Sequence, residues 1–193
     1  MISLRALSPA SFKLLCRRFA DDDRGGAAAE FAIITPAILA FAFGVSEVGN
    51  GVAAGRKATL TARAISDIVA QGKSASDAEI ASVLSIGKVL MYPYPDTNLK
   101  LRVSAIDVDA NGTARVVWSD ALPASEKRAN GAVTIPAALR VPSTQLIWGE
   151  VAYDYKPNLG AFTLLPTWSF KYENNNMFAR PRESSVVCRT GCS

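Results

Sequence analysis

The spacing of apolar residues changes period twice along the chain. From Phe31 to Val45 apolar and small residues run without a charge, FAIITPAILAFAFGV. This run is short against the ~20 residues a membrane-crossing helix needs. The carboxylates that bracket it, Glu30 and Glu47, are however 17 residues apart. At ~1.5 Å per residue that is roughly 26 Å, close to the ~30 Å of one hydrocarbon core. The run predicts a transmembrane helix over residues 26–50, in which Pro36 frees the carbonyl of Ala32 and kinks the axis. Leu60, Ala64, Ile65, Ile68 and Val69 then recur at three- to four-residue spacing. The same helix is expected to continue as an amphipathic one to Gln71–Gly72, weakened at the junction by Gly49, Gly51 and Gly55. Ser76 followed by Glu79 is a capping-box pair that opens a second helix, running to about Leu90 and stopping before Pro93.

From Leu99 the period becomes two. Leu99, Leu101, Val103 and Ala105 alternate with polar residues, and Ile106 and Val108 then shift phase, which predicts a bulge. Asn111–Gly112 is a hairpin-turn signal, and residues 115–119 return as a strand. Residues 120–140 read as loop with a short turn after Pro136, strands follow at roughly 144–155 and 167–173, and Asn174–Asn176 with Pro181 marks a loose tail. The fold class is therefore α+β: a long N-terminal helix, half of it transmembrane, then a short helix and an antiparallel sheet of about four to six strands. The organisation expected is a basic leader over 1–25, a span over 26–50 and an exported domain over 51–193.

Charge gives the span a direction. Residues 1–25 hold Arg5, Lys13, Arg17, Arg18 and Arg24 against Asp21, Asp22 and Asp23, which leaves 16 basic and 14 acidic residues for the remainder. Arg56, Lys57 and Arg63 are the cations within twenty residues beyond the span, so the positive-inside rule places the N-terminus in the cytoplasm. The nearly neutral remainder argues against a nucleic-acid partner. A mean hydropathy of +0.15 fits one membrane segment on an ordinary domain.

The chain has no histidine, which removes Ser–His–Asp and Cys–His nucleophile pairs and every histidine metal site. No carboxylate or lysine constellation takes their place, so the protein is expected not to be an enzyme and to use no cofactor or metal. Asp107-Val-Asp109-Ala-Asn111-Gly112 opens like a calcium loop, but the twelfth position is Trp118 where a bidentate glutamate is needed, and the flanks read as strands. Cys188 and Cys192 would meet an oxidising compartment if the domain is exported, whereas Cys16 would not. A small-loop disulfide is the favoured reading of that pair, with free thiols as the plainer one. Trp118, Trp148, Trp168, Phe170, Tyr153 and Tyr155 stand at strand period and read as core.

The most specific string is Arg24-Gly25-Gly26-Ala27-Ala28-Ala29-Glu30-Phe31-Ala32, running into Ile33-Ile34-Thr35-Pro36. It closely resembles the N-terminal signature of TadE-like proteins, pseudopilin-like components of the bacterial Tad (Flp) tight-adherence pilus system. Pro36 and Gly44-x-x-Glu47 also look like the family pattern. The resemblance is strong over about residues 24–50. It is weaker at Val151-Ala-Tyr153-Asp-Tyr155 and Arg180-Pro181-Arg182, and absent over 73–140. The larger TadG-like relatives carry a von Willebrand A domain, whose Asp-x-Ser-x-Ser motif does not occur here.

The resemblance implies a pilin-like structural subunit of the inner membrane with a periplasmic domain. It implies cleavage by a prepilin-type peptidase between Gly25 and Gly26, recognition through Glu30 and Phe31, and roles in helix assembly for Glu30, Pro36 and Glu47. Other Tad pilus subunits, the assembly machinery and inner-membrane lipid are the implied partners. Two other readings stay open: an uncleaved single-pass scaffold of a secretion complex, and a secreted binding module freed by ordinary signal cleavage after Ala40-x-Ala42.

Overall fold

The computed structural model describes residue 13 and residues 25–157 and 169–189. In chain order the elements are helix α1 (Gly26–Gln71), strand β1 (Ser74–Ala75), helix α2 (Asp77–Leu90) and strands β2 (Leu99–Val108), β3 (Ala114–Leu122), β4 (Gly131–Val133), β5 (Thr144–Tyr155), β6 (Phe170–Ala179) and β7 (Cys188–Arg189). Five strands form one antiparallel sheet in the order β4-β3-β2-β5-β6, and β1 pairs in parallel with β7. The chain divides into two compact units at Ser46/Glu47.

In the first unit, α1 passes through Pro36 as one helix. Thr35 Oγ1 donates to the Phe31 carbonyl at 2.6 Å, one turn back. The large side chains of this stretch are exposed, Phe31 and Phe41 by 68% and 75%. α1 is long and apolar enough to cross a membrane, and its most apolar window buries nothing in the protein.

In the second unit, α1 buries Ala54, Ala58, Thr61, Ala62, Ile65, Ser66 and Val69. Of the five residues whose spacing predicted the buried face, Ile65 and Val69 are in the core, while Leu60 and Ile68 are exposed. The actual face is mostly one of small residues with Ile65 and Val69 among them, because the sheet comes close to the helix backbone at Ala62. A Cβ added at Gly149 of β5 would overlap the Ala62 carbonyl oxygen. Gly51 and Gly55 are likewise not weak points. An added Cβ there would run into the rings of Phe170 and Tyr172 of β6, so both glycines are sockets for aromatic side chains.

α2 begins as the capping box predicts. Glu79 N donates to Ser76 Oγ, and Ser76 N donates to Glu79 Oε2 at 2.7 Å. Those bonds from Ser76, backbone first, hold the Glu79 carboxyl below its ordinary pKa. Ile80, Val83, Leu84 and Gly87 face inward, where Gly87 admits Leu101 of β2.

Leu99, Leu101, Val103 and Ala105 of β2 and Ile147, Val151, Tyr153 and Tyr155 of β5 line the core beneath the helices. Ile106, Val108, Leu146 and Trp148 belong to a second cluster, with Ile135. The expected irregularity at Ala105/Ile106 is present, but β2 keeps its register with β5 there. The extra residue belongs to β3, where Trp118 pairs with Ala105 and Val116 with Ile106. The apolar phase change in β2 has another cause: the sheet's second face is also covered. Residues 120–140, expected as loop, supply β4 and Ile135 (2% exposed) to that cover, with a 3-10 turn after Pro136. The Asn111–Gly112 turn forms with Gly112 at φ +79°, and Asp109 Oδ1 accepts from Asn111 N and Thr113 N.

The expected loose tail is corrected by the structure. Asn174–Asn176 lie inside β6, where Asn175 and Asn176 pair with Val151 and Glu150 of β5. Beyond them Arg182 N donates to the Ala70 carbonyl at the end of α1. Val187 is fully buried, donating its N–H to Gln145 Oε1 and accepting from Trp118 Nε1. Arg189 closes the segment with ion pairs to Asp77 and Asp120. These contacts join residues far apart in sequence, so local composition carries no trace of them.

Candidate functional site

Gly25 precedes α1 and Gly26 opens it; both are exposed, and a Cβ added at either meets nothing within 4 Å among the described residues. Bare backbone is therefore presented just ahead of the apolar run, where a second protein can approach it closely. Glu30 and Phe31, one turn in, are exposed as well. Glu30 takes part in no ion pair among the described residues. A carboxylate on an exposed apolar helix needs a cation or an interface position, since a charge at mid-bilayer costs ~2.5–3.5 kcal/mol on insertion scales. Pro36 is exposed one turn later.

Glu47 has a different environment. Its Oε2 accepts a hydrogen bond from Tyr155 Oη at 2.6 Å. Two further phenols reach the same turn of α1: Tyr94 donates to the Asn50 carbonyl at 3.1 Å, and Tyr172 to the Gly51 carbonyl at 2.7 Å. The Tyr94 ring lies 5.8 Å from Tyr155, edge-on, and 6.1 Å from Tyr153. Burial, and then the bond to Glu47, push the Tyr155 hydroxyl far above its ordinary pKa. Burial also raises Tyr94, Tyr153 and Tyr172. Tyr94, Tyr155 and Tyr172 therefore donate hydrogen bonds across the ordinary pH range and act as a clamp on residues 47–51. The sequence placed Tyr153 and Tyr155 in the core but gave no sign of the clamp. The Glu47 carboxylate and the Tyr155 phenol are 108 residues apart.

Other polar clusters among the described residues pair internally. On the sheet's second face Arg102 forks onto Glu150 at 2.6 and 2.7 Å, and Arg128 adds a third contact at 2.7 Å while stacking 4.2 Å above Trp148. Asp107 and Asp109, the opening of the calcium-like loop, are engaged by Gln145 Nε2 and by the turn's own N–H groups. Among the described residues no group of three His, Cys, Asp or Glu is placed to hold a metal. Trp118, Trp148, Tyr153 and Tyr155 are buried, as their spacing predicts. Cys188 sits half-buried in β7. Cys16, Trp168 and Cys192 lie outside the described residues, so the expected Cys188–Cys192 bridge falls partly outside them too.

Residues 25–66 match the model of the family described as TadE-like protein. The match begins at the first glycine of the string, covers α1 past the phenol clamp, and includes Gly25, Gly26, Glu30, Phe31, Pro36 and Glu47. The resemblance read from residues 24–50 is thus borne out and extends further along the helix. No curated protein and no solved structure matches the chain.

Proposed function

We propose that the chain is a pseudopilin-like structural subunit for assembly of a Tad-type (Flp) adhesion pilus and its secretion apparatus. α1 holds it in the bacterial inner membrane, with the N-terminus cytoplasmic and the domain periplasmic. One observation carries the reading: the TadE-like match starts at Gly25, one residue ahead of α1, and runs through its exposed apolar stretch. The excess of cations in residues 1–25 supports the orientation. The role is structural, and its partners are the other pilus subunits and the assembly machinery.

Processing is the finer part of the proposal. A prepilin-type peptidase cuts between Gly25 and Gly26 on the cytoplasmic side. The cut frees an α-amino group whose reference pKa is ~7.7–8.0, largely charged at neutral pH. That amine lies one helical turn from Glu30 of the same chain, or meets Glu30 of a neighbouring subunit. Glu30 then has the cation that an apolar span otherwise denies it. Gly25→Trp fills the open backbone and is expected to leave a full-length species in membranes. Glu30→Gln keeps the shape without the charge, so processing continues while pilus assembly fails. Immunoblots and a pilus assay read the two effects separately. The N-terminal residue of the mature protein decides the wider question. Gly26 supports the proposal, Met1 points to an uncleaved scaffold, and a residue after Ala42 to a secreted module.

A further inference from the structure

The hairpin between β2 and β3 carries a second pattern besides its turn signal. Its loop reads Asp109-Ala110-Asn111-Gly112-Thr113, an asparagine with a hydroxyl residue two positions on. Asparagine, any residue but proline, then serine or threonine is the acceptor pattern for N-linked glycans in exported chains. The chain has eight asparagines, and Asn111 alone is followed in this way. Val108 and Ala114 are the last paired residues of the two strands, so the whole string lies in the connecting loop. Asp109, Ala110, Asn111 and Thr113 are exposed, and Gly112 turns the chain at φ +79°. The loop satisfies its backbone from within. Asp109 Oδ1 accepts from Asn111 N at 2.9 Å and from Thr113 N at 2.8 Å, and Gly112 N donates to the Asp109 carbonyl at 3.0 Å. An asparagine in a turn commonly closes it through its own side-chain oxygen. Here Asp109 does so instead, and the Asn111 amide is left to solvent. Neither Asn111 Nδ2 nor Thr113 Oγ1 makes a hydrogen bond among the described residues. A Cβ added at Gly112, between them, meets nothing within 4 Å among the described residues.

We infer that Asn111 is the acceptor of an N-linked oligosaccharide. The inference rests on the reading of the domain as periplasmic and goes beyond it, adding a covalent modification at a named atom. The donor class is an oligosaccharide carried on a polyprenyl diphosphate, and an oligosaccharyltransferase catalyses the transfer. Asn111 Nδ2 forms a bond to the anomeric carbon of the first sugar, and the bond from that carbon to the phosphate oxygen breaks. The lipid diphosphate leaves with the electron pair, and one amide proton passes to a carboxylate of the transferase. Nothing is oxidised or reduced. Thr113 Oγ1 is the recognition group that separates this asparagine from Asn130. Asn130 is also exposed and also precedes a glycine, but Ala132 follows at the second position. A large hydrophilic chain on the loop displaces no core contact, because the string lies outside both apolar clusters.

The test takes the full chain from the envelope of the cells that make it. Peptide mass spectrometry is expected to find sugar on the peptide holding Asn111 and none on the peptide holding Asn130. On immunoblots the natural protein should migrate more slowly than Asn111→Gln and Thr113→Ala, while Thr113→Ser keeps the slow form. Thr113→Ala leaves the backbone bonds of the turn in place, so loss of the slow form there reports the hydroxyl and not a misfolded hairpin. Protease added to spheroplasts reads export separately. If the domain is digested from outside and Asn111 is bare, the inference is wrong and the export reading stands. If the domain is protected, the export reading falls and the inference with it. Conversion of Asn111 to aspartate without sugar would overturn the proposal, as would a slow form that Thr113→Ala retains.

Discussion

Two stretches of α1 solve opposite problems. Residues 27–46 carry their bulk outward: Phe31, Ile33, Ile38, Phe41 and Phe43 are all about half exposed or more. Leaving such side chains in water forgoes ~1.5–3 kcal/mol each, so this stretch calls for an apolar environment. Residues 51–70 carry small residues inward. Ala54, Ala58 and Ala62 are fully buried, while Leu60 points out. Charge separates the two, with Glu30 alone in the first stretch against Arg56, Lys57, Arg63 and Asp67 in the second, and so does the size of the residues placed inward. A helix surrounded by lipid can present large side chains on every side, whereas a helix lying on a sheet must let Gly149 reach its backbone and the rings of Phe170 and Tyr172 reach Gly51 and Gly55.

The contrast breaks most visibly when a charge is moved between the stretches. Phe41→Lys places a cation in the middle of the apolar run, at a cost of ~2.5–3.5 kcal/mol on insertion scales. Most of the protein should then be extracted from membranes by alkaline carbonate. Leu60→Lys, on the outward face of the second stretch, should stay in membranes with domain stability changed by less than ~0.5 kcal/mol. Extraction of Phe41→Lys at the level of the natural sequence would remove the lipid reading of residues 27–46.

A subtler probe uses glycine. Replacing Gly by Ala inside a helix normally gains up to ~1 kcal/mol. Gly44→Ala has open space and should leave the domain's melting temperature unchanged or slightly raised. Gly55→Ala meets the Tyr172 ring, itself held by the Gly51 carbonyl, and should cost ~1–3 kcal/mol by overpacking despite the better propensity. Thermal melts of the two variants should therefore move in different directions. A stabilising Gly55→Ala would show that the socket is not as tight as described.

The smallest effect concerns the clamp and has a pH signature. Tyr155→Phe removes the donor to Glu47 and should cost ~1–2 kcal/mol. A tyrosine in the unfolded chain loses its proton near pH ~10, while folded Tyr155 keeps its proton well above that. The stabilisation is therefore fully present below pH ~10. Above it the unfolded state binds fewer protons than the folded one, and stability falls by up to ~1.4 kcal/mol per pH unit for this group. Tyr94, Tyr153 and Tyr172 push in the same direction. Denaturation at a series of alkaline pH values should show a shallower fall for Tyr155→Phe. An identical slope would mean that burial and the Glu47 contact together do not hold the Tyr155 phenol protonated.

The features legible in the sequence are those whose physics is local. The apolar run, the Ser76–Glu79 box, the Asn111–Gly112 turn and the end of α2 before Pro93 each depend on residues within a few positions of one another. The glycine–glutamate string could be read for the same reason, since it is contiguous and the family match covers it. Tertiary structure decided which side of α1 beyond residue 50 is buried. A stripe of alanines next to a scattering of leucine and isoleucine is ambiguous until the approach of the sheet is known, and that approach buries Ala54, Ala58 and Ala62 with Ile65 while Leu60 and Ile68 point out. It also decided that Asn174–Asn176 belong to a strand, because their partners on β5 lie more than twenty residues earlier in sequence. The Glu47–Tyr155 bond and the burial of Val187 under Trp118 are likewise set by packing. A hydrogen bond between groups so far apart in sequence leaves no periodicity behind, and only the folded backbone brings its two ends together.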